Sequence, residues 1–389
     1  MGTSRKAAAL AAVTAVASVV LWPGVPAYAD RVRNAEWHIK FLDLPTAQRI
    51  TKGAGVTVAV VDSGISPHPD LKGNLKKGTD ILSGGDGIGQ KDTSGHGTSM
   101  AGIIAGHGRG ANDGVLGIAP EADLLPVKVL SDEDNRDGLP AGIAWAAKAG
   151  ADVINVSGAG IQSRDLNEAI ARSVKADAVV VAAAGNKADV LLFAYPAAMP
   201  DVLAVGAIDQ NGKLASFSRT GEKVGICAPG VDVASTGLNG KYLLNNGTSA
   251  ATAVVSGAAA LVRAKFPELS APEVVHRLTA TADDFGTPGK DDQCGYGVLN
   301  VVKALTAEVP PLPVGATSTG SSTAPDTSAA PNTATSTAPE KKPDAEAASR
   351  SRPATSTLAS VAGIGALVLG FAVVAAFRVA RIRRRHSSR

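Results

Sequence analysis

The sequence predicts an α/β fold, a parallel β-sheet flanked by helices on both faces, with one C-terminal transmembrane helix added. Three observations carry this. Between residues 56 and 306, short apolar runs alternate with longer stretches of helical periodicity. The short runs are largely apolar on both faces rather than at alternate positions, the pattern of strands buried on both faces. An uninterrupted apolar run of twenty residues, 358–377, stands near the C-terminus and is long enough to cross a bilayer.

The elements follow in order. Arg5 and Lys6 precede an apolar run at 7–22, a break at Pro23, Gly24 and Pro26, and then Ala27-Tyr28-Ala29. Charged, apolar and small-x-small segments in that order mark a secretory signal peptide, 1–29, cut after Ala29. The run is short for a spanning helix. Residues 30–61 are too few to form an independent domain. They are expected to be an ordered extension of the body, with Trp37, Phe41 and Leu42 packed on it. Strands are expected at 56–61, 124–129, 153–156, 178–183 and 202–205, and helices at 95–105, 139–149, 165–175, 249–265 and 271–282. Repeated strand–helix units imply a parallel sheet covered by helices. They make one large domain, 30–308.

From 309 to 357 the composition shifts to Pro, Thr, Ser and Ala. Such a segment buries too little apolar surface to fold and reads as a linker. The apolar run 358–377 after it is therefore a membrane span rather than a core helix. The basic tail, 378–389, holds the C-terminus in the cytoplasm and the folded body outside it.

The formal charge of +3 hides an asymmetry. Eight of the 38 basic residues flank the two terminal apolar runs, leaving 30 against 35 acidic ones in the body. A mildly acidic body carries no nucleic-acid footprint. The two cysteines, Cys227 and Cys294, form no CxxC. In an oxidising compartment they read as one disulfide, with two unlinked buried thiols as the alternative.

Four short segments carry chemistry: Val60-Val61-Asp62-Ser63-Gly64, Gly95-His96-Gly97-Thr98, Ala184-Gly185-Asn186 and Gly247-Thr248-Ser249-Ala250-Ala251. Each alone has a plainer reading, as a turn, a loop histidine or a helix N-cap. Together they place Asp, His and Ser at element ends, where α/β sheets build their sites. A serine hydroxyl is a weak nucleophile until a base takes its proton. His96 is the expected base, and Asp62 the group that fixes its tautomer and stabilises the imidazolium. The Ser249 backbone N–H and the Asn186 side chain are the expected oxyanion donors.

Asp-Ser-Gly, His-Gly-Thr, Gly-Asn and Gly-Thr-Ser-x-Ala in this order resemble the subtilisin-like serine proteases, from about residue 53 to 304. Within them the chain is most similar to the mycosins, membrane-anchored proteases of type VII secretion systems. Ser66-Pro67-His68-Pro69-Asp70-Leu71, Arg277-Leu278-Thr279-Ala280-Thr281-Ala282 and Gly295-Tyr296-Gly297-Val298-Leu299-Asn300 add to that likeness. So does the order of signal peptide, short leading segment, linker, span and tail. The resemblance implies a serine endopeptidase acting on exported proteins through an acyl-enzyme, with protein or peptide substrates and no cofactor. It also implies a partner in the secretion complex. Two other functions stay open: a structural part in that complex, and a membrane-tethered quality-control protease.

Two positions depart from the family. Ala253 stands where it has Pro, four residues past the nucleophile. The substrate-binding edge, Ser-Leu-Gly-Gly in the family, reads Ser157-Gly158-Ala159-Gly160 here, which implies a looser groove.

Other candidates are set aside. His68 sits in a Pro-rich loop with no partner at metal-ligand spacing. His107 reads as a helix-end residue, and His276 and His386 as surface. Asp80 and Asp92 do not make a legible calcium loop. Gly53-Ala54-Gly55 precedes a strand, whereas a dinucleotide fingerprint follows one. No metal site is expected.

Overall fold

A computed structural model describes residues 28–84, 87–110, 113–131, 138–187 and 193–312. The expected signal peptide up to residue 27, most of the linker, the apolar run 358–377 and the basic tail lie outside the described residues. Among the described residues no helix is long and apolar enough to cross a membrane.

Three short helices open the chain: α1 (Tyr28–Ala35), α2 (Trp37–Phe41) and α3 (Leu44–Ile50). The sheet is built from β1 (Thr57–Asp62), β2 (Thr79–Asp80), β3 (Asp123–Lys128), β4 (Val153–Val156), β5 (Val179–Ala183), β6 (Leu203–Ile208) and β7 (Ile226–Pro229). Its seven strands run in the order β2-β3-β1-β4-β5-β6-β7, every pair parallel. Helices α4 (His96–Ala105), α5 (Leu139–Lys148), α6 (Arg164–Lys175), α7 (Thr248–Lys265), α8 (Ala271–Ala280) and α9 (Val301–Thr306) complete the domain. A separate hairpin pairs β8 (Val233–Thr236) with β9 (Tyr242–Asn245).

Strand alternation sorts the two faces. Val58, Val60, Val153, Val179 and Val181 pack with α4 and α7, the latter an Ala-rich helix that lies close on the sheet. Ala59, Val61, Ile154, Val156 and Val180 pack with α5 and α6. Both strand faces are thus buried, as largely apolar runs require. The helices covering each face bear out the expected architecture.

Local chemistry sets the helix ends. Ser163 Oγ accepts from Leu166 N at 3.1 Å and starts α6 one residue earlier than expected. Ser270 and Glu273 form a capping box at α8. That helix ends at Ala280 rather than 282, where Thr281 Oγ1 donates back to the Arg277 carbonyl. β2, β7 and the β8–β9 hairpin have no counterpart in the sequence reading. Two residues in β2, and four in β7 that include a Cys and a Pro, give no apolar run to detect.

The leading segment packs on the body as expected. Trp37 Nε1 donates to the Val231 carbonyl at 2.9 Å, and Gln48 Nε2 to the Gly117 carbonyl at 2.9 Å. Leu42 is buried in the main core, while Phe41 stacks edge-on against Trp37 and stays partly exposed. Glu36 is buried, pairs with Arg33 at 3.0 Å and accepts from Leu116 N; burial pushes its carboxyl up to about 8.

Cys227 and Cys294 are bonded, with Cα atoms 5.0 Å apart. The bond fastens residues 294–299 along β7: Cys227 N donates to the Gly297 carbonyl, and Leu299 N to the Cys227 carbonyl, both at 2.9 Å.

Candidate active site

The site residues sit where β1, β4 and β5 end. Asp62 is the last residue of β1 and is fully buried. His96 opens α4, and its Nδ1 lies 2.8 and 2.9 Å from the two Asp62 oxygens. Asp62 Oδ1 also accepts from Ser63 N at 2.7 Å, and Ser63 Oγ in turn accepts from Gly97 N. The carboxylate is therefore held by its own strand end and by the first turn of α4. The Asp62 charge raises the His96 pKa above the ordinary imidazole value, against the opposing effect of burial.

The His helix is placed by two devices. Its N-terminal donors are gathered by Asp92: Gly95 N at 2.8 Å on Oδ1, Thr98 N at 2.9 Å and Thr98 Oγ1 at 2.6 Å on Oδ2. The sequence reading met Asp92 only as a calcium candidate. Asp92 stands three residues before the Gly95 N-cap, outside the position where a capping residue is read from sequence, so no local signal marked it. The second device is close approach. A Cβ at Gly97 would sit 2.2 Å from the Gly64 carbonyl oxygen and 3.1 Å from Asp62 Cβ. Only glycine lets α4 come this near to β1.

Ser249 lies in the first turn of α7. Its hydroxyl donates to the Ser157 carbonyl at 2.8 Å, so its single proton points at the expected substrate edge and not at His96. The Asp–His half of the expected triad is thus formed, and the His–Ser half is not closed. Ser157 Oγ donates in return to the Ser249 carbonyl at 3.1 Å.

Asn186 follows β5. Its Oδ1 accepts from Thr248 N at 3.1 Å and from Thr248 Oγ1 at 3.2 Å, which ties the amide to α7 by its oxygen end. A Cβ built on Gly247 would lie 3.6 Å from Asn186 Nδ2 and 3.7 Å from Ser249 N. The two expected oxyanion donors therefore border one small space, which the missing side chain of Gly247 leaves open.

The edge 157–160 leaves β4. Gly160 N donates to the Tyr195 carbonyl at 2.8 Å, and Ser157 is buried. A Cβ at Gly158 would have Leu130 Cδ1 at 3.7 Å, ordinary contact distance, so the position has room for a side chain.

The histidines set aside fall elsewhere. His68 is a loop residue, but a buried one; its Nδ1 accepts from Asp70 N, and its ring packs on Tyr242. His107 lies just past the α4 C-cap, where its Nδ1 and the Gly108 carbonyl are 2.8 Å apart. His38, which the sequence reading passed over, is fully buried, and burial lowers its pKa to about 4. Among the described residues no group of three or more His, Cys, Asp or Glu is placed to hold a metal ion.

A parallel α/β sheet with a buried Asp bonded to a half-exposed His and a helix-borne serine at its strand ends belongs to the serine hydrolases in layout. The chain is a member of the Subtilase family, Peptidase S8, whose profile matches residues 53–297. It is 40% identical over 277 residues to Subtilisin BL of Lederbergia lenta, covering 70% of this chain and 99% of that one. Among solved structures it is similar to MycP1 with the N-terminal propeptide removed: 35% identity, TM-score 0.65, covering 71% of this chain and 98% of that one. It is also similar to the MycP3 protease from the type VII (ESX-3) secretion system, at 34% identity and TM-score 0.61, covering 70% and 88%. The protein is a subtilisin-like serine endopeptidase with mycosins among its structural neighbours.

Proposed function

We propose that Ser249, His96 and Asp62 are the nucleophile, base and orienting acid of this endopeptidase, and that it serves a type VII secretion system at the outer face of the cytoplasmic membrane. The observation that carries the site is the His96 Nδ1 contact with buried Asp62 at 2.8 Å, which leaves Nε2 as the ring's basic nitrogen.

The steps follow from these positions. A substrate strand pairs along 157–159 by main-chain hydrogen bonds. Its N–H groups compete for the Ser157 carbonyl and release the Ser249 hydroxyl to His96 Nε2. His96 takes the proton as Oγ attacks the scissile carbonyl, and the oxyanion forms between Asn186 Nδ2 and Ser249 N. The imidazolium, stabilised by Asp62, hands its proton to the leaving amine. Water then repeats the sequence on the acyl-enzyme and frees Ser249.

Likeness to the mycosin structures, together with the terminal segments, supports the setting. Residues 1–29 direct export, 30–308 form the protease, 309–357 the linker, 358–377 the single span and 378–389 the cytoplasmic tail. Exported proteins and components of the secretion complex are then the partners.

Ser249→Ala tests the site. Turnover is expected to fall by on the order of 10⁴–10⁶. Purified Ser249→Ala with wild-type peptidase activity rejects the assignment. In cells, Ser249→Ala compared with deletion of the whole chain, scored for secretion and for assembly of the complex, separates cleavage from a structural part.

A further inference from the structure

We infer that Ser256 and Asn155 are positioning residues that fix the nucleophile against the substrate edge through a one-way run of buried hydrogen bonds. The inference rests on Ser249 being the nucleophile. It concerns two residues that touch no substrate.

Asn155 is a polar residue in the middle of the sheet, fully buried in β4. By strand alternation it shares the face of Val153, the face that packs against α7. Ser256, also fully buried, lies on α7 seven residues past Ser249. Its hydroxyl does not back-bond along its own helix, as Thr252 Oγ1 does to the Thr248 carbonyl at 2.7 Å. It reaches across to Asn155 Oδ1 at 2.9 Å. Asn155 Nδ2 donates to Ser157 Oγ at 3.0 Å, and Ser157 Oγ to the Ser249 carbonyl at 3.1 Å.

Donor and acceptor chemistry allows one direction only. The Ser249 carbonyl can only accept, so the Ser157 hydroxyl donates to it and must itself accept from Asn155. Asn155 therefore turns its NH₂ toward Ser157 and its oxygen toward Ser256, which must donate. A buried polar run of this kind is satisfied at every link and has no second arrangement of equal energy.

The run starts two turns down α7 and ends on the carbonyl of the nucleophile. There Ser249 Oγ returns a bond to the Ser157 carbonyl at 2.8 Å, closing a ring between the nucleophile and the substrate edge. The links up to the Ser249 carbonyl remain when substrate frees the hydroxyl, and they set the position of the Ser249 backbone, the oxyanion donor Ser249 N included, relative to the strand that holds the scissile bond. Attack geometry tolerates little error here. Removing the first link leaves Asn155 Oδ1 without its donor in a dry site. Asn155 then rotates to find one, and Ser157 loses its fixed donor.

The test uses the purified full chain with Ser256→Ala, Ala being a good helix former at a helical position. Three quantities are read: kcat and KM on a peptide, the rate of acylation by a fluorophosphonate probe, and thermal stability. We expect kcat and the acylation rate to fall together, by on the order of 10- to 100-fold, with KM within about twofold of wild type. The acid limb of kcat/KM stays in place, because Asp62 and His96 are untouched. Ser256→Thr, which keeps the hydroxyl, recovers most of the loss. The double variant Asn155→Leu with Ser256→Ala removes both partners together and, if it folds, shows the same kinetic loss. A folded Ser256→Ala protein with wild-type kcat and acylation rate overturns the inference. So does a loss explained wholly by a smaller folded fraction. Peptide mapping of the labelled protein keeps the two readings apart. A probe found on another serine overturns the Ser249 assignment and this inference with it. A probe on Ser249, attached at the wild-type rate, overturns the inference alone.

Discussion

Gly97→Ala should cost this protease most of its activity, although helix propensity alone favours the change. Replacing a helical Gly by Ala ordinarily stabilises by about 0.5–1 kcal/mol. Here the new Cβ would stand 2.2 Å from the Gly64 carbonyl oxygen. Carbon–oxygen contacts settle near 3.3–3.6 Å, so the start of α4 and the end of β1 must part by about 1 Å. The helix has little slack, since a Cβ at Gly102 would also stand 2.3 Å from Thr236 Oγ1, on β8. A 1 Å shift takes the His96–Asp62 contact from 2.8 Å to about 3.8 Å, past the limit of a hydrogen bond. Displacement on that scale costs on the order of 10²-fold in rate. The overpacking itself costs about 1–3 kcal/mol of stability, more than the propensity gain. The assay is kcat/KM on a chromogenic peptide against pH, beside a thermal melt. The acid limb of the profile should also slide down toward 6.5 as Asp62 recedes from the imidazole. A Gly97→Ala enzyme within threefold of wild type, or one more stable than wild type, refutes the reasoning.

Four further outcomes follow. Replacing Cys227 and Cys294 by Ala opens a loop closed across 67 residues, and loop entropy sets the loss at about 4 kcal/mol, read by urea denaturation; an unchanged midpoint contradicts it. Because Asp62 raises the His96 pKa, activity should rise with pH along a limb centred above 6.5, and Asp62→Asn should move that limb lower while depressing kcat. The same shift means that the pair's contribution to stability is complete below the ordinary imidazole pKa and fades as pH rises through the raised one, checked by melts across that range. Gly158→Leu with Ala159→Gly should raise kcat/KM on short peptides, since the new side chain has Leu130 to pack on and the edge loses a mobile glycine; a flat or lower value shows that the edge does not limit catalysis.

What the sequence made legible was local. Asp62, His96, Asn186 and Ser249 each stand at the end of an apolar run or at the start of a helical period, so their place at the sheet's rim followed from pattern alone. The strands of the sheet's centre were nearly as plain, each being mostly apolar. The supports of the site were not legible, because their meaning is tertiary. Asp92 grips the start of α4 from the loop before it. Ser157 and Ser249 are 92 positions apart and bond reciprocally. Asn155 reads in sequence as one polar interruption of an apolar strand, a position where pattern marks a flaw and only the fold shows a partner. The pairing of the two cysteines followed from compartment, but not what the bond clasps. The extension was foreseen as packed, yet buried His38 within it left no local mark.

The clasp over β7 has a consequence for solubility. Edge strands expose rows of unpaired amides and carbonyls and recruit other chains. At one side of this sheet the edge strand β2 is only two residues long. At the other, residues 294–299 lie along β7 and take up its outward hydrogen bonds, with the disulfide as the fastening and Pro229 at the strand's end offering no N–H. A reducing environment would therefore do more than loosen a loop. It would release the cover from an apolar strand, and the first visible sign of reduction should be self-association rather than unfolding.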